Sequence, residues 1–258
     1  VAVAGDRQHL AQRLRGEHPA LAVERGFASL LDYYYLLKYD AAGDEEWRRV
    51  ADALAVGETY FWRGMDQVSA FVDRIVPQQL AARPFETIRV WSAACSTGEE
   101  PVTIAMALAE AGLAGAPVEI FASDASAAAV DRARRGLYRE RSFRALPPGL
   151  RDRYFVPEGD LWRVRPQLHA RIRWATVNLR DEAAVAPFAA ARAIFCRNVF
   201  IYFSESAIRK TVRSFFERMP APGYLFVAAS ESLLRVTSDF EFEQIGVGLA
   251  WGSPTNTS

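Results

Sequence analysis

Small and polar residues follow three short apolar runs that are typical of buried strands. The segment 93–101 follows the first run, Asp124 follows the second, and Arg197 with Asn198 follows the third. In open α/β sheets, ligands bind beyond the carboxyl ends of the strands, where the strand order reverses. We therefore expect the three segments to meet in one ligand site.

The chemistry of these residues favours S-adenosylmethionine over a dinucleotide. The Gly-x-Gly-x-x-Gly fingerprint is absent, and Glu99 and Glu100 would repel a pyrophosphate. Two carboxylates would instead attract a cation, such as the amino group or the sulfonium of the methionine moiety. Asp124 follows Gly98 by 26 residues, a place from which a carboxylate can accept both hydroxyls of a ribose.

Strands and helices alternate from residue 88 onward, which predicts a doubly wound, Rossmann-like α/β sheet. The expected strands are 88–91, 118–122, 172–177, 193–195 and 225–228. Helices are expected at 101–111, before Gly136, and after Ser204, whose hydroxyl can cap the last of them. The alternating residues 240–243 predict an edge hairpin beside the parallel strands.

The first sixty or so residues predict helices only. Apolar residues recur at helical spacing in 30–37, where they are Leu30, Leu31, Tyr34, Tyr35 and Leu37, and again in 47–54 and 68–76. We therefore expect an N-terminal all-helical domain at 1–65 and a catalytic domain at 66–258. A small β insertion is expected at about 154–174.

Composition excludes several classes of protein. The 258 residues carry 31 basic and 31 acidic side chains, so net charge argues for neither nucleic acid nor a membrane surface as partner. The two cysteines and three histidines form no cluster, which argues against a metal site and a disulfide scaffold. No apolar run is long enough to span a bilayer, and no signal peptide is evident. We expect a cytoplasmic protein.

Five ordered motifs give the chain a specific resemblance. The sequence VWSAACSTGEEP at 90–101 resembles the first cofactor motif of the CheR-type receptor methyltransferases. The segments 122–124, 178–179 and 194–203 are similar to later motifs of that family, and ETYFWR at 58–63 resembles the signature that precedes its catalytic domain. The resemblance implies transfer of a methyl group from S-adenosylmethionine to glutamate carboxylates of a chemoreceptor, with S-adenosylhomocysteine as the product.

The same resemblance assigns roles to individual residues. It implies that Arg63 and Tyr202 face the transferring methyl group, with an ion pair between domains and a buried aromatic as the respective structural alternatives. The residues implied in cofactor binding are Thr59, Arg63, Ala94, Gly98, Glu100, Asp124, Asn178, Leu179, Arg197 and Asn198. No histidine or lysine lies in these motifs, which suits an acceptor carboxylate that is already ionised at neutral pH.

Two departures from the family pattern bear on cofactor and partner. Gly57 stands where the family has asparagine, which removes one side-chain contact to the cofactor and leaves open a non-catalytic sensor or scaffold that only binds S-adenosylmethionine or its product. The family members that dock on a receptor's C-terminal peptide carry a longer, glycine-rich loop than 156–161. We therefore expect a monomer that engages the cytoplasmic domain of its receptor without a peptide tether.

Charge suggests where such a receptor would bind. Residues 1–63 carry a net charge of −2, from eight basic and ten acidic side chains, whereas 132–173 carries twelve arginines against four acids. An arginine-rich segment of that size favours an acidic partner. A solvated, arginine-rich surface without a partner is the alternative.

Overall fold

The computed structural model describes residues 26, 27, 29–39 and 59–253. The predicted helix at 47–54 and Gly57 lie outside the described residues. Helix α1 (Leu30–Tyr39) forms where helical spacing predicts it. Its buried face agrees with the predicted one at Leu37 only in part, because Tyr33, one turn earlier, is buried with it while Leu31 and Tyr35 are exposed.

A seven-stranded sheet forms the centre of the α/β fold. Its strands are β1 (Ile88–Ala93), β2 (Val118–Asp124), β6 (Ile172–Thr176), β7 (Ala193–Phe195), β8 (Tyr224–Phe226), β9 (Glu241–Ile245) and β10 (Gly248–Gly252). Their order in the sheet is β6-β2-β1-β7-β8-β10-β9. The first five in this order pair in parallel, and β10 and β9 are antiparallel additions, as the predicted edge hairpin requires.

Helices connect these strands. The helices are α2 (Met65–Ala70), continued by a π-helical turn (Phe71–Ile75) into α3 (Val76–Ala82), then α4 (Glu99–Glu110), α5 (Ala127–Arg135), α6 (Leu150–Tyr154), α7 (Pro166–His169), α8 (Glu182–Ala189) and α9 (Glu205–Phe216). Helix α5 ends at Gly136, as predicted, in the left-handed conformation. Ser204 stands at the N-cap of α9, but its hydroxyl makes no capping bond there and instead contacts that of Ser206.

Alternate residues of each strand feed cores on opposite faces of the sheet. Val90 and Phe195 belong to one buried cluster, whereas their neighbours Trp91 and Ile194 belong to the other. Successive side chains of a strand point to opposite faces, so a strand buried on both sides reads as a continuous apolar run. This is why the strands were visible in the sequence.

The inserted β subdomain starts earlier than the sequence indicates. Its three strands, β3 (Leu137–Tyr138), β4 (Phe155–Glu158) and β5 (Leu161–Val164), form a separate antiparallel sheet of order β3-β5-β4. The expected bounds 154–174 need correction at both ends, because 137–138 belongs to this sheet while 172–174 pairs with β2 in the central one. A two-residue strand is too short to show a periodicity of two.

Candidate active site

A cavity of about 200 Å³ lies where the chain leaves β1 and β7. These strands are adjacent in the sheet but far apart in the chain, so this is the point at which strand order reverses. Residues from four segments line the cavity: Thr59, Tyr60, Arg63, Ala94, Cys95, Ser96, Glu100, Thr103, Arg197, Asn198, Val199, Ile201 and Tyr202. Two of the three predicted strand-end segments therefore line one cavity.

The backbone around this cavity is strained. In the part of the chain that the structure describes, the non-glycine residues with positive φ are Trp62, Ala94, Ser96 and Asn198. Three of them line the cavity, and Trp62 precedes Arg63, which also lines it. Positive φ is costly for side chains with a Cβ and persists where surrounding contacts enforce it, often at functional sites. The loops after β1 and β7 are thus held in conformations that their surroundings enforce.

Arg197 joins three segments of the site. Its Nη1 and Nη2 donate to the carbonyl oxygens of Gly64, at 3.1 Å, and Arg63, at 2.8 Å. Its Nε lies 3.2 Å from Oε2 of Glu100, with the two side chains 5% and 17% exposed. Gly64 has φ +60, and a Cβ there would come within 2.6 Å of this guanidinium. The close approach therefore requires glycine at position 64.

The two adjacent glutamates of the first motif have different environments. Glu100 lines the cavity, and its Oε1 accepts a hydrogen bond of 2.6 Å from the Ser92 hydroxyl. The Glu99 carboxylate is buried and accepts hydrogen bonds from Thr97, at 2.7 Å, and Ser142, at 3.0 Å. Burial raises the pKa of both carboxyls above the ordinary value, although Arg197 opposes this for Glu100.

An aromatic anchor holds the segment 59–64 against the inserted subdomain. The Phe61 ring is buried and lies 4.8–5.1 Å from the rings of Tyr138, Phe143 and Phe155. On either side of this anchor, Tyr60 and Arg63 line the cavity. The Tyr60 ring is approached by two guanidiniums, that of Arg144 at 3.8 Å from the centroid and that of Arg63 at 5.5 Å.

Seven of the predicted site residues come together at the cavity: Thr59, Arg63, Ala94, Glu100, Arg197, Asn198 and Tyr202. Tyr202 ends a 3-10 turn (Phe200–Tyr202) and is half-buried, whereas its neighbours Phe200 and Phe203 are buried in the core. The side chain of Tyr202 is therefore placed differently from the two aromatics beside it.

Gly98 faces protein rather than the cavity. It has φ +94 and precedes α4, and a Cβ built on it would lie 2.8 Å from Cη2 of Trp174 and 2.9 Å from Cβ of Ala133. The glycine thus permits a left-handed turn and the close packing of α4 against its neighbours.

Asp124, Asn178 and Leu179 do not line the cavity, although Asp124 contacts a residue that does. Asp124 is fully buried, and its two carboxylate oxygens accept the backbone N–H groups of Ser96 and Ser126, each at 2.9 Å. Since Ser96 lines the cavity, Asp124 stabilises the loop after β1 without lining the cavity itself. The next strand ends alongside, because the N–H of Val177 donates to the Asp124 carbonyl oxygen.

The sequence reasoning missed two groups at this site. Glu231 sits after β8, where its buried carboxylate accepts five backbone N–H groups. Arg144 stacks on Tyr60 from the inserted subdomain. The pair Ser230-Glu231 after a strand end was a possible signal for the first, since it repeats the pattern of the other strand ends. No sequence signal singled out Arg144 among its arginine neighbours.

The part of the chain that the structure describes contains neither a metal-binding cluster nor a membrane-spanning helix. Within 26–39 and 59–253, apart from residue 28, no group of three or more histidine, cysteine or acidic residues could hold a metal ion. In the same part of the chain, no helix combines the length and the apolar character that crossing a membrane needs.

An open α/β sheet with a cavity at its switch point, lined in part by small residues and a carboxylate, is the arrangement that the sequence predicts for a Rossmann-like methyltransferase. The model of the CheR methyltransferase S-adenosylmethionine-binding domain matches residues 57–248. The chain therefore belongs to the CheR methyltransferase family, and it is an enzyme that uses S-adenosylmethionine.

Named relatives agree with this assignment. The chain is 34% identical to chemotaxis protein methyltransferase 2 of Vibrio cholerae, over 88% of this chain and 79% of that protein. It is 35% identical to the chemotaxis protein methyltransferase of Escherichia coli K12, over 76% and 68% of the respective chains. It is also 31% identical to the probable biofilm formation methyltransferase WspC of Pseudomonas aeruginosa, over 81% of this chain and 51% of that protein.

Proposed function

We propose that the enzyme transfers the methyl group of S-adenosylmethionine to glutamate carboxylates of a chemoreceptor-like signalling protein, giving methyl esters. The observation that carries the proposal is the cavity itself, which presents Arg63 and Tyr202 but includes no histidine or lysine among its described lining residues. A carboxylate acceptor needs orientation and no proton removal, whereas hydroxyl and amine acceptors more often need a base. Relatives named chemotaxis protein methyltransferases support the same acceptor.

The cavity is large enough for only part of S-adenosylmethionine. A volume of about 200 Å³ is below the roughly 300–1,000 Å³ of small-molecule sites, so we assign the cavity to the methionine half. Thr59, Glu100 and Asn198 offer groups for its amino and carboxylate ends. The adenosine half would extend past Ala94 and Gly98 toward Asp124, Asn178 and Leu179, which requires Asp124 to share its carboxylate with a ribose.

The protein's own residues would act by alignment. The bound cofactor supplies a methyl group on a positively charged sulfur, open to in-line attack. Arg63 and Tyr202 would donate to the acceptor carboxylate and fix its direction of approach. Arg197 and Glu100, paired across the back wall, would hold the cofactor side in place and keep water out.

The partner is proposed to be engaged without a peptide tether. Strands β4 and β5 are joined by only Gly159 and Asp160, which supports the expectation of a short loop. We further propose a cytoplasmic location, because the proposed acceptor is a receptor's cytoplasmic domain; the monomeric state stays a prediction. The division into a helical domain at 1–65 and a catalytic domain at 66–258 also stays a proposal.

The Arg-rich segment supports electrostatic docking less than its composition suggests. Arg153 and Arg173 pair at 2.6 and 2.8 Å with Glu110 and Glu119, two acids outside 132–173. Arg151 pairs at 2.6 Å with Glu140 inside the segment. Arg144, in the same segment, stacks on Tyr60, which lines the cavity.

Incubation with methyl-labelled S-adenosylmethionine and membranes that contain the cognate receptors tests the proposal. We expect base-labile label on the receptor, and none on a receptor whose acceptor glutamates are replaced by alanine. Tight binding of the cofactor without any transfer to receptor would contradict the proposal and revive the alternative of a non-catalytic sensor. No observation on the described residues favours that alternative at present.

A further inference from the structure

A single carboxylate organises the loop that follows β7. The backbone N–H groups of four consecutive residues, 198–201, donate to Glu231 at 2.8, 2.7, 2.8 and 3.3 Å. A fifth donor, the N–H of Ala228, lies 2.9 Å from its Oε2. Successive N–H groups that converge on one point form an anion-binding concavity. In this protein the anion is a side chain of the chain itself.

This carboxylate shapes the wall of the active site. The loop that it holds includes Asn198, with φ +58, and leads into the 3-10 turn that ends at Tyr202. Arg197, Asn198 and Tyr202 all line the cavity, whereas Glu231 does not. Glu231 instead borders a neighbouring cavity of about 540 Å³ that shares Arg63, Arg197 and Asn198 with the first.

Burial makes the arrangement specific for a carboxylate. Glu231 is 5% exposed, so its carboxylate meets the five N–H groups with little competition from bulk water. Hydrogen bonds to an ionised acceptor are stronger than neutral ones, and a buried donor that loses its acceptor keeps the full cost of desolvation. The loop therefore has one well-satisfied conformation, and the positive φ of Asn198 is held within it.

We propose that Glu231 is a positioning residue for methyl transfer: its carboxylate fixes the 198–201 backbone and thereby the cavity positions of Asn198 and Tyr202. It acts through the loop and touches neither the cofactor nor the acceptor. The inference rests on the methyltransferase activity of the family and not on the identity of the acceptor.

The test uses Glu231→Gln in the full chain, with Val185→Ala as the matched control. The glutamine has the same shape but brings an NH₂ group toward the converging donors. Val185 is fully buried in the same core cluster as Val199 and does not line the cavity, so its truncation lowers stability without removing any of the five hydrogen bonds to Glu231. Both variants are compared with wild type well below their melting temperatures.

We expect Glu231→Gln to weaken S-adenosylmethionine binding by calorimetry and to lower kcat with receptor, each by roughly tenfold to a hundredfold, as small misplacements of site groups do. Val185→Ala should change neither beyond about twofold. A dissociation constant for Glu231→Gln that matches that of Val185→Ala would overturn the proposal. Wild type that binds the cofactor but methylates no receptor would instead contradict the proposed acceptor and leave the positioning role standing.

Hydrogen exchange on the wild-type protein gives a readout that does not depend on any variant folding. The amides of 198–201 should exchange far more slowly than those of exposed Ala229 and Ser230, although all lie in loops. Equal exchange rates in the two segments would show that the Glu231 contacts do not persist in solution, and would overturn the proposal as well.

Discussion

Substitution of Gly98 by alanine tests whether this glycine is needed for close packing. The residue has φ +94, and an added Cβ would lie 2.8 Å from Trp174 and 2.9 Å from Ala133. Left-handed backbone costs a residue with Cβ about 1–2 kcal/mol, and forcing an extra methyl into a packed site costs about 1–3 kcal/mol. We therefore expect Gly98→Ala to lower the free energy of unfolding by roughly 2–5 kcal/mol.

Gly112→Ala is the matched control. Gly112 has φ +74, but a Cβ there would meet nothing within 4 Å. It should cost only the backbone term of about 1–2 kcal/mol, and the smaller unfolded-state entropy of alanine cancels between the two variants.

Urea unfolding, followed by tryptophan fluorescence, measures both free energies. If the two costs agree within about 0.5 kcal/mol, the limit of such comparisons, then Trp174 and Ala133 do not press on position 98 and the packing argument is wrong. A further check combines Gly98→Ala with Trp174→Leu. The free energy of unfolding lost in the double variant should be smaller than the sum of the two single losses, because the shorter side chain at 174 makes room for the added Cβ. Without a packing role, the two changes would simply add.

Four further substitutions test the site and the buried glutamate beside it. Each of Arg197→Met and Glu100→Gln removes one partner of the half-buried ion pair and should cost about 1–3 kcal/mol in urea unfolding. The double variant should cost clearly less than their sum; additive costs would show that the pair is not coupled. Tyr202→Phe should lower kcat for receptor methylation while the affinity for S-adenosylmethionine and the melting temperature stay near wild type; a large fall in melting temperature would make the tyrosine a core residue instead. Burial raises the folded-state pKa of Glu99 above 4.5, so its contribution to stability is present below pH 4.5 and is lost as pH rises through the folded pKa. The free energy of unfolding of wild type should therefore fall relative to that of Glu99→Gln as pH increases across that window, and a constant difference would contradict the assigned cause.

The main sheet could be predicted from the sequence because its strands are buried on both faces. The run 193–195 is continuously apolar and 88–91 is interrupted only by Arg89, and Gly136 marks the end of α5 by its left-handed conformation. The insertion could not be bounded in the same way. Strand β3 has two residues, and pairing with β5 rather than local propensity makes it a strand.

Chain topology predicts which loops meet at the site, but it does not predict the contacts between their side chains. Strand ends of a parallel sheet meet at one edge, which brings the loops after β1 and β7 together whatever their distance in sequence. Glu231 enters the same region through hydrogen bonds to the backbone of 198–201, and those partners have no sequence signature. The neutralisation of Arg153 and Arg173 by Glu110 and Glu119 is equally invisible, because each pair joins different elements.

The structure gives the two glutamates of the motif at 90–101 different roles from those that the sequence predicts. On the sequence, Glu99 and Glu100 together argue for a cationic ligand, but only Glu100 lines the cavity, and it is paired there with Arg197. With Arg63 added, the described lining residues carry two guanidiniums and one carboxylate, so the cavity has an excess of positive charge. Such a cavity favours the entry of carboxylates, both that of the methionine moiety and that of an acceptor glutamate. We propose that Arg63 contributes to this attraction, and we expect Arg63→Met to lower kcat/KM for methylation of the receptor's glutamates; an unchanged kcat/KM would contradict the role.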